Sequence, residues 1–378
     1  MKTEAWKLGR IRARRERRAK GRILKRRKLS EQWKVRYSRL RQFAPLVQNP
    51  FTQNRSRTIH EIVPHPTLDL EDNYEATMDT LLKIREASRL APGKLMVDFK
   101  VIQEISAAAA LLLVAECDRW RKLSIHKFLR VVDYLDWVPS VRRRLTEMGF
   151  FHILKARGDL PNDPPVEGQD RYLPFASGRC DPGQPAKDLR VGIERRGRTL
   201  TDSSALYDAL VEAMENANEH AYKGLPDSKL NNWWISASVN AENNRMTVMV
   251  VDHGLGLVKT LPRSSLWDEM KSRLMTLSND EEHLIRAAFD PSFKNKSRTG
   301  LDNRGKGLRD NIRGYVDIHP SEGSLLAIAN GARYRYSKTK IDSNTKESVR
   351  TAKLKTPFPG TFIQWEIEDY GSPIHEDN

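Results

Sequence analysis

VEAMENANEHAY, residues 211–222, sets a carboxylate, an amide and an imidazole at Glu212, Asn216 and His220, four positions apart each time. Side chains four apart on a helix share a face, so the three form one polar strip. Leu206, Leu210, Ala213 and Ala217 form a neighbouring apolar strip that can pack on a sheet. Taken alone, this is also the pattern of an ordinary solvated helix face. The segments that follow decide whether the strip holds a ligand.

In VVDHGLGL, residues 250–257, an apolar strand ends in Asp252, followed by Gly254 and Gly256. Glycines there let the backbone turn sharply and approach a ligand with no β-carbon in the way. An aspartate at a strand end can accept a hydrogen bond from an exocyclic amine, although a strand running into a tight turn gives the same letters. In NRGKGLRDN, residues 303–311, Gly305 and Gly307 lead into a helix. Free backbone N–H groups and the helix dipole favour phosphate at such a start, and Lys306 adds a full charge. The spacing is neither that of a Walker loop nor that of a dinucleotide fingerprint.

The order and spacing of these three motifs resemble the GHKL superfamily of ATP-binding domains, which includes gyrase B, the large heat-shock chaperones, MutL, histidine kinases and anti-sigma-factor serine kinases. The resemblance covers roughly residues 196–370 and lies nearest the serine-kinase branch. It implies an α/β fold, specifically the two-layer α/β sandwich of the Bergerat type, with ATP and Mg²⁺ as cofactors. It makes Asn216 the metal ligand and Glu212 the catalytic base that activates a water or a protein hydroxyl. Asp252 would bind the adenine amine, and Gly254 and Gly256 would shape the pocket. Residues from about Phe289 to Arg304 would form a lid, and Gly305, Lys306, Gly307 and Leu308 would cradle the phosphates. In PGTFIQWEIE, Thr361 follows Gly360 as in the family's GT pair, which implies a water-mediated adenine contact. His220 matches a histidine of the serine-kinase branch and is expected to be a satisfied structural residue beside the site.

Upstream, the pattern predicts a helix near Asn73–Arg89, an APG turn, the strand LMVDF at 95–99 and a helix from Ser106 to about Arg121. A strand around Phe128–Val132 follows, then a helix that Ser140 can cap and Gly149 can end. The segment LMVDFKVIQEISAAAALLLVAECDRWRK, residues 95–122, resembles a STAS domain, the fold of anti-anti-sigma factors. That family carries its phosphorylated serine in an Asp-Ser-Ser-Gly type sequence. The stretch here is Ser106, Ala107, Ala108, Ala109, with Ala107 at the acceptor position. This small domain is therefore not expected to be a kinase substrate in cis, unless Ser106 has taken over the role. An Ala/Leu-rich core helix capped by Ser106 in another α/β sandwich fits the same letters.

The expected organisation is a basic N-terminal extension (1–42), a linker (43–75), the STAS-like domain (76–160), a proline-marked linker (161–195) and the ATP-binding domain (196–370). The formal charge of +16 is concentrated in the extension. Residues 1–41 hold 18 Lys and Arg against Glu4, Glu16 and Glu31, and the remainder is nearly neutral. Arguments about polyanionic partners are thus arguments about that tail, which suits either a nucleic-acid backbone or an acidic protein. Two cysteines, Cys117 and Cys180, and the lack of an apolar leader read as a reduced, cytoplasmic chain. The most apolar run, Ala107–Ala115, is too short for a bilayer, so no membrane partner is expected.

Three functions fit. The first is an ATP-binding regulator with slow ATPase activity that engages a protein partner, with an ATP-dependent homodimer as a further option. The second is a serine/threonine kinase acting on a separate STAS protein. The third is a nucleic-acid adaptor with a vestigial site.

Overall fold

The computed structural model describes residues 60–90, 95–123, 133–153, 168–179, 181–196, 198–225, 230–261, 280–292, 307–341 and 344–373. The fold is mixed α/β. Its N-terminal unit runs β1 (His60–Ile62), β2 (Thr67–Leu68), α1 (Tyr74–Leu90), β3 (Leu95–Val97), β4 (Glu104–Ile105), α2 (Ala107–Leu123), α3 (Pro139–Glu147) and α4 (Phe150–Ile153). Strand β1 pairs in parallel with β3, and β2 with β4. Parallel pairing requires a crossover, which α1 supplies. The run Ala108–Trp120 in α2 is buried all round, apolar over Ala108–Ala115 and carrying the buried charges Glu116, Asp118 and Arg119 toward its C-terminal end.

The second half runs β5 (Arg171–Tyr172), β6 (Ala176–Gly178), α5 (Gly183–Glu194), β7 (Arg198–Leu200), α6 (Ser203–Asn216), β8 (Trp233–Asn240), β9 (Arg245–Asp252) and α7 (Leu257–Thr260). It continues with α8 (Glu281–Phe289), a π-helical segment Leu308–Arg313, α9 (Gly314–Ile318), β10 (Gly323–Ile341), β11 (Asn344–Glu368) and β12 (Gly371–Pro373). Six strands form one antiparallel sheet in the order β10-β11-β9-β8-β5, with β6 also pairing β8.

Alternating side chains of this sheet feed two cores. Trp233, Ile235, Val248, Val250, Ala327 and Trp365 face a core closed by α5, α6, α8 and α9. Trp234, Met249, Val251, Leu326, Ile328 and Phe362 face a second core built with α1, α2, α3 and α4. The sheet is therefore covered on both faces. The N-terminal unit is not a separate bead but the lid on the second face, with Tyr74 Oη donating to the Thr356 carbonyl at 3.0 Å. Adjacent tryptophans at 233 and 234, both fully buried, are the signature of a strand with no solvent side.

Several expectations change. The expected linker 161–195 holds β5, β6 and α5, and its Tyr172, Leu173, Ala186 and Ile193 are buried. Two of the prolines that suggested a break sit where helices tolerate them: Pro182 caps α5 and Pro185 lies in its first turn. The linker 43–75 likewise contains β1, β2 and the start of α1. Ser140 does not cap α3, which begins at Pro139 after Val138; Gly149 does follow it, with φ +85°. The helix that carries Glu212 and Asn216 is α-helical from Ser203 to Asn216 and π-helical over Ala217–Ala221. The basic extension, the strand at 128–132, Cys180, Gly305, Lys306 and most of the expected lid lie outside the described residues.

Candidate functional site

Helix α6 buries Leu206, Ala209, Leu210, Ala213 and Met214 against the sheet, and this turns Glu212 and Asn216 along its flank. Asn216 is the last α-helical residue before the π-turn, a local widening that recurs at functional sites. Its Nδ2 donates to Glu212 Oε1 at 3.1 Å. That leaves Oδ1 as the Asn216 atom able to meet a cation. Glu212 is half-buried. Burial raises its pKa, Glu215 and Glu219 add to the rise, and hydrogen bonds from Asn216 and Asn311 oppose it.

Gly307, entering the π-helical segment, lies against the Glu212 carboxylate so closely that a β-carbon there would overlap it. The third motif is thus folded back onto the first. Strand β9 brings in the second motif, ending at Asp252 opposite Thr361 of β11. Asp252 is 6% exposed, and its Oδ1 accepts the Gly254 N–H at 2.7 Å. Burial pushes the carboxyl up to about 6, against hydrogen bonds from Gly254 and Thr361; no cation among the described residues contributes. A desolvated acceptor of this kind gains most from an N–H donor.

Gly256 sits at φ +87°, and a β-carbon there would come within 2.5 Å of the Asn330 amide. Asn330 holds the loop, donating from Nδ2 to Leu255 O at 2.9 Å and accepting the Lys259 N–H at 3.3 Å. Thr361 Oγ1 accepts the Leu257 N–H at 3.0 Å. Gly254 packs under the Ala221 carbonyl with no room for a side chain, so it shapes the loop rather than the cavity wall.

A cavity of about 70 Å³ results, its walls formed by apolar Ala213, Val250, Leu257 and Ile363. Asn216, His220, Asp252, Gly256, Leu308 and Thr361 also line it. At ~10–15 Å³ per water position it has room for several waters or part of a small ligand. An apolar wall with a few convergent polar groups is the usual make-up of a ligand site. His220, expected to be a satisfied structural residue beside the site, lines this cavity with its side chain 47% exposed and its Nε2 3.9 Å from Glu219 Oε2.

Reading the sequence missed Asn330, Asn311 and Tyr222. Asn330 carried a signal: the Asn330-Gly331 pair interrupts a strand pattern, and the ladder shifts register there with Asn330 at φ +53°. Tyr222 Oη accepts the His253 N–H at 3.0 Å. Ser106 caps α2, its Oγ accepting the Ala109 N–H at 3.3 Å. It lines a different groove, together with Leu326 and Gln364, whereas Glu212 lies over the opposite face of the sheet. The sheet itself separates the expected base from this serine.

No helix among the described residues is long and apolar enough to cross a membrane. No protein-family model matches the chain, and none of the curated proteins matches it.

Proposed function

We propose that residues 196–370 are a Bergerat-type α/β sandwich that binds ATP with Mg²⁺, in a cytoplasmic regulatory protein that hydrolyses ATP slowly. One observation carries this reading. Asn216, Asp252, Gly256, Leu308 and Thr361, drawn from separate motifs of the sequence, line a single cavity.

The chemistry of the donors fits the cofactors. Buried Asp252, with no cation beside it among the described residues, is matched to the amine edge of adenine. Among the described residues no group of three or more His, Cys, Asp or Glu side chains could hold a metal. A cation here would take Asn216 Oδ1 and complete its shell from triphosphate and water, as magnesium does. When bound, Mg²⁺ would neutralise the charge of the triphosphate. Gly307, Leu308 and the residues before them would cradle the phosphates at a helix start. Glu212, whose proton affinity is raised by burial, would take the proton from the attacking water. Nucleotide state would then bias how the N-terminal unit and basic tail meet a protein partner, or how two copies pair.

Transfer to a hydroxyl of a separate STAS protein is the second reading, favoured by exposed His220 at the cavity. Transfer within the chain to Ser106 is disfavoured by the intervening sheet. The test is titration of ATP and Mg²⁺ into wild type, Asp252→Asn and Asn216→Ala. Both variants should bind far more weakly; unchanged binding in both overturns the proposal. Deleting residues 1–41 and following DNA and RNA binding across salt concentrations tests the tail, since phosphate contacts make affinity fall steeply with salt.

A further inference from the structure

Asp252 and His253 are consecutive and turn to opposite sides of the sheet. Asp252 lines the cavity, while the side chain of His253 is 4% exposed in the interface with the N-terminal unit. There its Nε2 lies 3.4 Å from Glu116 Oε1, and its ring centroid is 4.8 Å from that of Trp234. Glu116, on α2, accepts from Arg85 Nε of α1 at 2.8 Å and lies 3.7 Å from Arg119. Asp118 accepts the Trp234 indole N–H at 3.1 Å and pairs with Lys122 at 2.6 Å and Arg121 at 2.7 Å.

This seam is costly. Burying ionised groups costs several kcal/mol each, and apolar side chains of similar volume often serve stability as well or better. What such a network supplies is one fixed geometry, and here it is applied to a single loop. The same loop is pinned from the other side, where Tyr222 Oη takes the His253 N–H and Ala221 O takes the Leu255 N–H at 2.7 Å. With its ring held between two anchored sides, His253 leaves the 252–254 backbone little freedom. Asp252 Oδ1 is tied to Gly254 N, inside that clamp.

We propose that Glu116, held by Arg85, is a positioning residue for the cavity. Through His253 it sets where Asp252 stands, so the N-terminal unit tunes recognition of the base. The proposal rests on the ATP reading and deepens it. It assigns the N-terminal helices to the base end of the site, whereas Glu212, Asn216 and Gly307 belong to α6 and the C-terminal helix start. Coupling between sites is reciprocal, so nucleotide should also register at Trp234.

The experiment uses the full chain and compares ATP with GTP, which keeps the triphosphate but presents a carbonyl where adenine has its amine. Wild type, Glu116→Ala, Glu116→Gln and the double variant Arg85→Met with Glu116→Met are titrated with each nucleotide in Mg²⁺. The double variant removes the Arg85–Glu116 pair as a unit, and the Gln variant preserves shape, so a folding failure of Glu116→Ala does not end the test. ATP affinity should fall about tenfold in the alanine and double variants, with GTP affinity nearly unchanged, so that the preference collapses. Glu116→Gln should lose less in the same direction. ATP should also change Trp234 emission, read as the difference from Trp234→Phe. Unchanged preference in the folded variants, or equal losses for both nucleotides, overturns the proposal and leaves the ATP reading standing. Failure of wild type to bind ATP overturns both.

Discussion

Gly307 and Glu212 meet so closely that the helix start and the carboxylate occupy one another's only space. The absent side chain at 307 is what lets Glu212 stand beside Asn216, 3.1 Å from its amide nitrogen. Gly307→Ala should therefore push the carboxylate aside while leaving the base end of the cavity alone. A displacement of about 1 Å can cost on the order of 10²-fold in rate. Single-turnover ATP hydrolysis at saturating ATP should fall by that order, beyond any loss of ATP affinity from the phosphate cradle to which Gly307 belongs. Wild-type turnover in this variant would remove Glu212 from the chemistry.

Asp252→Asn should stabilise the protein as it abolishes function. The carboxyl titrates at about 6 in the fold against 3.8 as its ordinary value, because burial disfavours its charge. The folded state thus binds a proton more readily than the unfolded chain between these values, and stability is lost as pH rises through that window. Asparagine keeps an acceptor for the Gly254 N–H and carries no charge. At neutral pH the variant should gain about 3 kcal/mol, and most of the gain should be gone by about pH 4. Urea unfolding at both pH values checks this; equal stability at neutral pH would mean that Asp252 is not desolvated. ATP binding to wild type should weaken as pH falls through about 6, where the carboxylate is protonated.

Glu212 acts as a base only when ionised. Burial moves its pKa upward, so turnover should rise with pH through a limb that lies above the ordinary glutamate range. Glu212→Gln should remove that limb and lower turnover by about 10²–10⁴-fold, while binding ATP at least as well. Following labelled phosphate in the same samples separates the two readings. Label released as free phosphate supports hydrolysis, whereas label on an added STAS protein supports transfer.

Part of the cavity lining is legible in the sequence, because Asn216, Asp252 and Gly256 sit in short motifs with fixed local geometry. Glu212 to Asn216 is one helical turn, and Asp252 ends an apolar strand. What was not readable depends on long-range pairing. Asn330 reaches Leu255 and Lys259 across some 70 residues, and only the β10–β11 register places it there. Gly254 looked like a cavity residue because glycine signals close approach without saying to what; its neighbour is the Ala221 backbone. Prolines at 182 and 185 give the segment 161–195 the look of a break, although a helix accepts proline in its first turn. The covered second face of the sheet was foreshadowed by the pair Trp233-Trp234, which no half-exposed strand would carry.

That covered face leads to a last expectation about where the chain can be cut. Trp234, Met249, Val251, Leu326, Ile328 and Phe362 are each no more than 2% exposed, and they lie under helices that precede residue 196. A fragment spanning 196–370 would lose those helices together with β5, β6 and α5, and would uncover all six side chains at once. Full burial of each such side chain contributes roughly 1.5–3 kcal/mol, a loss that together exceeds the usual net stability of a domain. The uncovered patch would also surpass the few hundred Å² that monomers normally expose. The fragment should therefore aggregate or form mixed oligomers in light scattering and show no cooperative urea transition. A monomeric 196–370 fragment that binds ATP like the full chain would show that the N-terminal unit is dispensable for this fold. It would also make its charged seam at His253 an ornament rather than part of the site.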